Sequence, residues 1–373
     1  MSNFLDYLDW RGDLPFSRDP FNEVDNLILS EIAYAELGGI VPAPGEEGSV
    51  TLREAAERYE AEGRDQSHMA NDPGPLLLRA GKSERFGTAK LSAYAEQTDT
   101  AEQLQFAAVT AELSDGSVFV AFRGTDNTIV GWREDFNISV LPETPGQRLA
   151  AEYLNEAAAR FAAPLRVGGH SKGGNLAFYA AAFCESAVKP RLLAVYSNDG
   201  PGFRREITQR ALYREVWPKL KKILPEESII GLLLTDDEER TIVKSSAEGG
   251  QQHNPYTWQV QGGRLLRAEK LSAKSVLLDE ALDRWVDALG DEQRQNLVSA
   301  IFDSLDASGA VTLNELNANK RESYNAVLRA ARQLDPALQK DVLETLKKLA
   351  LAGKDVLWDE ARRSFDALIG GGV

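Results

Sequence analysis

Apolar residues in the first part of the chain recur at helical spacing. In N-E-V-D-N-L-I-L-S-E-I-A-Y-A-E-L (residues 22–37), Leu27, Ile28, Ile32 and Leu37 share one face, which predicts an amphipathic helix. A Pro/Gly/Glu-rich stretch at 42–50 reads as a loop. T-L-R-E-A-A-E-R-Y-E-A-E-G then predicts a helix with Thr51 as its N-cap and Gly63 as its stop. Strand signals start near residue 104. Q-F-A-A-V-T-A-E-L and S-V-F-V-A-F-R-G flank the turn S-D-G, the pattern of a hairpin. An Ala/Glu-rich helix at 146–162 precedes the short apolar strand L-R-V-G-G-H-S. A helix (N-L-A-F-Y-A-A-A-F-C-E-S) and a strand (R-L-L-A-V-Y-S) follow. Such alternation from about 104 to 235 predicts a largely parallel sheet covered by helices, an α/β fold. I-I-G-L-L-L reads as a later apolar strand, and K-L-K-K-I near residue 220 as the wet face of a helix.

Composition shifts near residue 270. From Leu277 to Leu368 the chain is nearly all helix formers with heptad-like apolar spacing, which predicts an appendage of four or so helices. The division expected is an α/β domain over 1–268 and a C-terminal helical segment over 269–373. The chain's 373 residues suit one large domain plus a smaller segment. Hydrophobic residues at 43% and charged residues at 27% describe an ordinary globular balance, which argues against wholesale disorder.

A formal net charge of −15 disfavours nucleic acid and anionic lipid surfaces as partners, since phosphates attract Lys and Arg. The single cysteine, Cys184, excludes an internal disulfide and any Cys-based metal site. Its setting, A-A-F-C, predicts a small buried residue. The acidic N-terminus lacks a basic stretch followed by an apolar run, and no apolar stretch approaches the length of a membrane span. A cytoplasmic protein without a transmembrane segment is therefore expected.

The strongest chemical signal is G-H-S-K-G-G, Gly169–Gly174, of the form G-x-S-x-G between a strand and a helix. A serine on so tight a turn projects its hydroxyl above the sheet edge. The turn crowds the positions two before and two after the serine, so glycine fits best there. Ser171 is the candidate nucleophile. His170, its neighbour, is expected to pack under the turn. A second motif, V-A-F-R-G-T-D-N (Val120–Asn127), ends a strand about fifty residues earlier. Acyl transfer needs donors for a tetrahedral oxyanion. The backbone of Lys172 and the backbone and hydroxyl of Thr125 are the candidates.

F-R-G-T, then G-W-R-E-D-F (Gly131–Phe136), G-H-S-K-G-G and Y-S-N-D-G-P-G-F resemble class 3, fungal-type lipases and their bacterial relatives. D-Y-L-D-W-R-G-D-L-P-F and S-S-A-E-G-G-Q-Q-H-N-P-Y-T-W look closer still to an uncharacterised lipase-like family of Gram-positive, mostly gut-dwelling bacteria. The resemblance covers roughly residues 1–265. It implies an α/β-hydrolase fold, Ser171 as nucleophile and Thr125 with Lys172 as the oxyanion hole, and it makes Asp135 structural. Lipases of this class follow the F-R-G-[S/T] loop with an apolar lid helix. The segment here, T-D-N-T-I-V-G-W-R-E-D-F, is short and charged, which speaks against interfacial activation and long-chain triglyceride.

A serine nucleophile of this kind needs a histidine base. Of His68, His170 and His253, only His253 follows Ser171, as the order nucleophile, acid, base requires. No role falls to His68. For the acid, Asp199 in S-N-D-G-P-G-F is preferred, with Glu227 and Asp236 as alternatives. Asp303–Leu316 resembles an EF-hand loop, but Ser304 stands at its first position, so a helix–turn–helix is expected. No P-loop, G-x-G-x-x-G or H-E-x-x-H motif occurs. The expected activity is hydrolysis of a carboxylic ester or thioester, with a small acyl ester or lipid-like substrate and neither metal nor organic cofactor. The alternatives are an acyltransferase with the same triad, and a non-catalytic scaffold with a vestigial site.

Overall fold

A computed structural model describes residues 2–64, 71–234, 239–277, 290–306, 311, 312 and 336. Eight strands form one sheet in chain order: β1 Val50–Thr51, β2 Lys90–Asp99, β3 Leu104–Glu112, β4 Val118–Phe122, β5 Leu165–His170, β6 Leu192–Asn198, β7 Leu220–Pro225 and β8 Arg240–Val243. The first four pair antiparallel. From β4 to β8 every pair is parallel. Helices α1 Phe4–Arg11, α2 Glu23–Ile32, α3 Leu52–Glu62 and α4 Gly74–Lys82 belong to the N-terminal part. The parallel half is connected by α5 Ile129–Asn137, α6 Pro145–Arg160, α7 Lys172–Phe183, α8 Arg205–Thr208 and α9 Ala211–Val216.

This topology explains why the N-terminal helices are needed. Parallel crossovers are right-handed, and here each adds its strand on the same side of the last. All the connecting helices are thereby sent to one face. Val118, Val120, Phe122, Val167 and Val195 meet α6, α7 and α9 there in one apolar cluster. Alternate residues, Phe119 and Ala121 among them, point to the other face, as strand geometry demands. That face is closed by a second cluster, contributed by α1 to α4 together with Trp258.

α2 differs from its expected form. An amphipathic helix should keep a wet side, yet Asp25, Asn26, Ser30 and Glu31 are all buried with the apolar face. Leu37 lies beyond the helix end. The polar side is satisfied inside the protein. Asp25 holds the buried guanidinium of Arg85 through two contacts of 2.6 and 2.5 Å. Asn26 donates to Asn198 on β6 at 2.9 Å. A buried polar group costs free energy unless it finds such a partner, so these contacts fix how α2 sits on the sheet.

The hairpin, the Thr51 cap with the left-handed Gly63 stop, and the β5–α7–β6 succession follow the expected pattern. Cys184 is buried. Three elements differ from the expected pattern. Strands begin at β1 and β2, well before residue 104. Lys219–Ile223 is not the wet face of a helix: it runs into β7, with Lys222 buried, because β7 lies between β6 and β8. I-I-G-L-L-L is not a strand but holds a single 3-10 turn, Ile230–Leu232.

Of the expected C-terminal helices, α10 Asp291–Asp306 is described, and most of the remainder lies outside the described residues. Val298 and Phe302 of α10 pack with Ile129 and Val140 beside α5. Arg133 on α5 pairs with Asp303 and Asp306 at 2.9 and 3.0 Å. Asp303 opens the EF-hand-like segment, of which residues 307–310 and 313–316 lie outside the described residues. The architecture is that of an α/β hydrolase, a mainly parallel sheet flanked by helices, with a C-terminal helical part.

Leu27 is fully buried between α2 and the sheet, whereas Trp10 is 43% exposed. Leu27→Ala is expected to lower the unfolding free energy by about 2–5 kcal/mol. Trp10→Ala is expected to stay within about 0.5 kcal/mol. Urea midpoints at an unchanged slope measure both; equal shifts would contradict the proposed role of α2.

Candidate active site

Ser171 stands alone between β5 and α7, with φ 56° and ψ −132°. An L-residue rarely adopts this backbone, at a cost of about 1–3 kcal/mol, so neighbours must enforce it. Gly169 and Gly173 do so by close approach. A Cβ on Gly169 would lie 2.3 Å from the Gly173 carbonyl, and one on Gly173 would lie 2.2 Å from that of Phe122. The Ser171 amide donates to Asn198 O at 3.0 Å, tying the turn to β6. Although it is the N-cap of α7, Ser171 makes no side-chain cap bond. Its hydroxyl is left for another partner.

That partner is His253. Nε2 of the ring lies 3.0 Å from Ser171 Oγ, and Nδ1 lies 2.6 Å from Asp199 Oδ2. A carboxylate only accepts, so Nδ1 carries a proton; in the neutral ring Nε2 then offers a lone pair to the serine hydroxyl. Asp199 follows β6 in a left-handed backbone, φ 49°, and is fully buried. Its other oxygen accepts from Ser228 Oγ at 2.5 Å and from the Gly231 amide at 3.2 Å. The last contact explains the 3-10 turn: a side chain on Gly231 would strike Asp199 Oδ1.

His253 ends a short helical turn, Gly249–His253, in the loop after β8. The loop is anchored on both sides. Buried Trp258 donates Nε1 to Gln252 O at 2.8 Å. Glu227 accepts from the Gly249 amide and, at 3.4 Å, from Gln252 Nε2. Asn3 donates to Tyr256 O at 2.8 Å, so α1 reaches the same loop. The structure therefore brings Asp199 to His253 and puts Glu227 in the loop's support. Asp236 and His68 lie outside the described residues.

The F-R-G-T loop passes against the turn. A Cβ on Gly124 would lie 2.5 Å from His170 O and 3.1 Å from Ser171 Cβ. Arg123, buried, anchors this loop by pairing with Glu96 at 2.6 Å and Asp126 at 3.6 Å. Thr125 Oγ1 donates to Asp135 Oδ2 on α5 at 2.6 Å. Burial pushes the Asp135 carboxyl up to about 6, while Lys172 and the Thr125 hydroxyl pull it down. Asp135 thus holds the Thr125 side chain against α5.

Lys172 is split between two roles. Its amide is the first of α7, at the positive end of a twelve-residue helix. Its side chain turns inward and is fully buried. The ammonium donates to Gln105 O at 2.7 Å, to Gln105 Oε1 at 2.6 Å and to Glu134 Oε2 at 2.9 Å. Glu134, also buried, accepts from the amides of Gln105 and Gly146 as well. One carboxylate so joins β3, α5, α6 and the start of α7. The W-R-E-D stretch carries this residue, but nothing in its pattern marks Glu134 as the buried one. Among the described residues, no group of His, Cys, Asp and Glu is arranged to hold a metal ion. No described helix is long and apolar enough to cross a membrane.

A search among curated proteins finds no match to this sequence. Residues 80–303 match the Mbeg1-like family, a lipase-like family, and span β2 to α10 with every element of the site just described except the N-terminal helices. With more than half of its length covered, the chain belongs to the Mbeg1-like family.

Proposed function

We propose that the protein is a serine hydrolase that cleaves a carboxylic ester or thioester through an acyl-enzyme on Ser171. The observation that carries this reading is the unbroken chain Ser171 Oγ–His253 Nε2–His253 Nδ1–Asp199 Oδ2, with steps of 3.0 and 2.6 Å. His253 takes the serine proton as Oγ attacks the acyl carbon. Asp199 holds the ring in the required tautomer and favours the imidazolium that forms. The amides of Lys172 and Thr125 receive the developing oxyanion, helped by the α7 dipole. The imidazolium then protonates the leaving alcohol or thiol, and water releases the acyl group by the same steps.

The strained Ser171 backbone also supports a working site. Strain of this kind has a cost in stability, and a scaffold protein gains nothing by keeping it. The substrate class proposed is a small acyl ester or lipid-like molecule, with no cofactor taking part.

Ser171→Ala is expected to abolish hydrolysis of p-nitrophenyl esters and acyl thioesters while leaving the circular dichroism spectrum unchanged. Asp199→Asn leaves the geometry but imposes the wrong tautomer, and is expected to lower kcat by about 10⁴-fold. Glu227→Gln is expected to cost far less; the reverse order would make Glu227 the acid. Glu134→Gln leaves the Lys172 ammonium buried without its counter-charge. The unfolding free energy is expected to fall by about 3–5 kcal/mol. An unchanged urea midpoint would show that the Lys172–Glu134 pair does not hold this corner together.

A further inference from the structure

A second acid–histidine pair lies behind the first, and the reaction proposed above does not use it. His170 closes β5 and is 6% exposed. Its Nε2 is 2.9 Å from the main-chain carbonyl of His253. Nδ1 is 3.2 Å from the Tyr34 hydroxyl and 3.3 Å from Glu31 Oε1. The His170 ring also lies on the His253 ring, with centroids 4.7 Å apart and planes 34° apart. Glu31, on α2, is 3% exposed.

The protons can be assigned from these contacts. A carbonyl oxygen only accepts, so His170 Nε2 carries a proton and donates it to His253 O. Burial, and next the nearby His253, hold the His170 ring well below the ordinary histidine value. The ring is therefore neutral, and Nδ1 is a lone pair. A carboxylate oxygen 3.3 Å from that lone pair would repel it, whereas a neutral carboxyl would not. Burial pushes the Glu31 carboxyl up to about 8, which keeps it an acid at neutral pH. Tyr34 has one proton to give, and its hydroxyl also lies 3.3 Å from His170 O. That proton goes to Nδ1, and the neutral Glu31 carboxyl, whose Oε1 has no hydrogen-bond partner, leaves no net charge beneath the turn.

We propose that Glu31 and His170 form a positioning pair for the base. By holding the main-chain carbonyl of His253, they set the place from which its ring reaches both Asp199 and Ser171. The inference rests on the catalytic reading above and deepens it. A residue that merely filled space would need no N–H. Here the donor is aimed at the carbonyl of the residue that supplies the base. The pair also gives a reason for the buried polar side of α2, whose Asn26 reaches β6 while Glu31 reaches the end of β5.

The test compares His170→Phe with His170→Gln in the full chain. Phenylalanine keeps a ring but removes the donor; the glutamine amide can still donate. His170→Phe is expected to lower kcat about 10- to 100-fold, the loss that follows an ångström-scale misplacement of a catalytic group. KM is expected to stay within about threefold, since substrate contacts are untouched. His170→Gln is expected to recover most of the lost kcat. In substrate-free protein, the downfield proton resonance of the His253–Asp199 hydrogen bond is expected to broaden in the Phe variant and return with Gln. Glu31→Leu, which removes the carboxyl packed against Nδ1, is expected to broaden the same resonance, and it tests the link if His170→Phe does not fold. A folded His170→Phe or Glu31→Leu protein with a wild-type resonance overturns the proposal. Equal losses in the Phe and Gln variants overturn it too. Because the resonance needs no turnover, it reads the pair even if no ester is cleaved, which keeps the two readings separable.

Discussion

Ser171 is held at φ 56° and ψ −132°, between a strand that ends one residue before it and a helix that begins one residue after. Only one geometry of turn joins elements so closely, and it projects the hydroxyl away from both. The neighbouring chain must come within contact distance to enforce it. Gly169 and Gly173 therefore pack against each other and against the end of β4, and Gly124 admits the F-R-G-T loop beside them. Both strands next to β5 are drawn in. β4 supplies the loop that carries Thr125, and β6 supplies Asn198 O for the Ser171 amide and then Asp199 itself.

From this corner the requirements spread to both faces of the sheet. On the face of α6 and α7, the Lys172 ammonium and Glu134 tie the helix start to β3, α5 and α6. A buried pair of this kind contributes little net stability over an apolar substitute, but losing one partner is costly, so it specifies an arrangement. On the opposite face, α2 brings buried polar groups to β5 and β6, and α1 reaches the loop of His253. One helix layer thus fixes the helix behind the serine, and the other fixes the approach of the histidine. α10 adds a contact outside both, on α5, the helix that carries Glu134 and Asp135.

Much of this was legible in the sequence, because the signals are local. G-x-S-x-G between an apolar strand and a helix, a hairpin about S-D-G, and a histidine after the last strand each depend on short stretches of chain. The carboxylate partner of His253 was partly legible. Asp199 follows the right strand, but Glu227 sits close to the same loop in sequence, and only packing gives Asp199 to His253 and Glu227 to the loop's support. The polar side of α2 misled, since periodicity marks polar residues as wet whether or not the protein supplies partners for them. Lys221 and Lys222 misled for a related reason: charge masks a strand when its neighbours lie far away in sequence. Glu134 and the inward turn of Lys172 left no signal, because each is buried by a contact that spans more than thirty residues. The neighbours of His170 in sequence give no sign of its contact with the His253 carbonyl, which spans 83 positions.

The proposed reaction requires that His253 and Asp199 make Ser171 a nucleophile. Labelling wild-type protein and Ser171→Ala with a fluorophosphonate probe, read by intact mass, measures this without a known substrate, since the probe needs an activated serine but no particular acyl group. A single adduct is expected on wild type and none on the variant. A folded wild type that takes no adduct, or a Ser171→Ala protein that takes the same one, would contradict it.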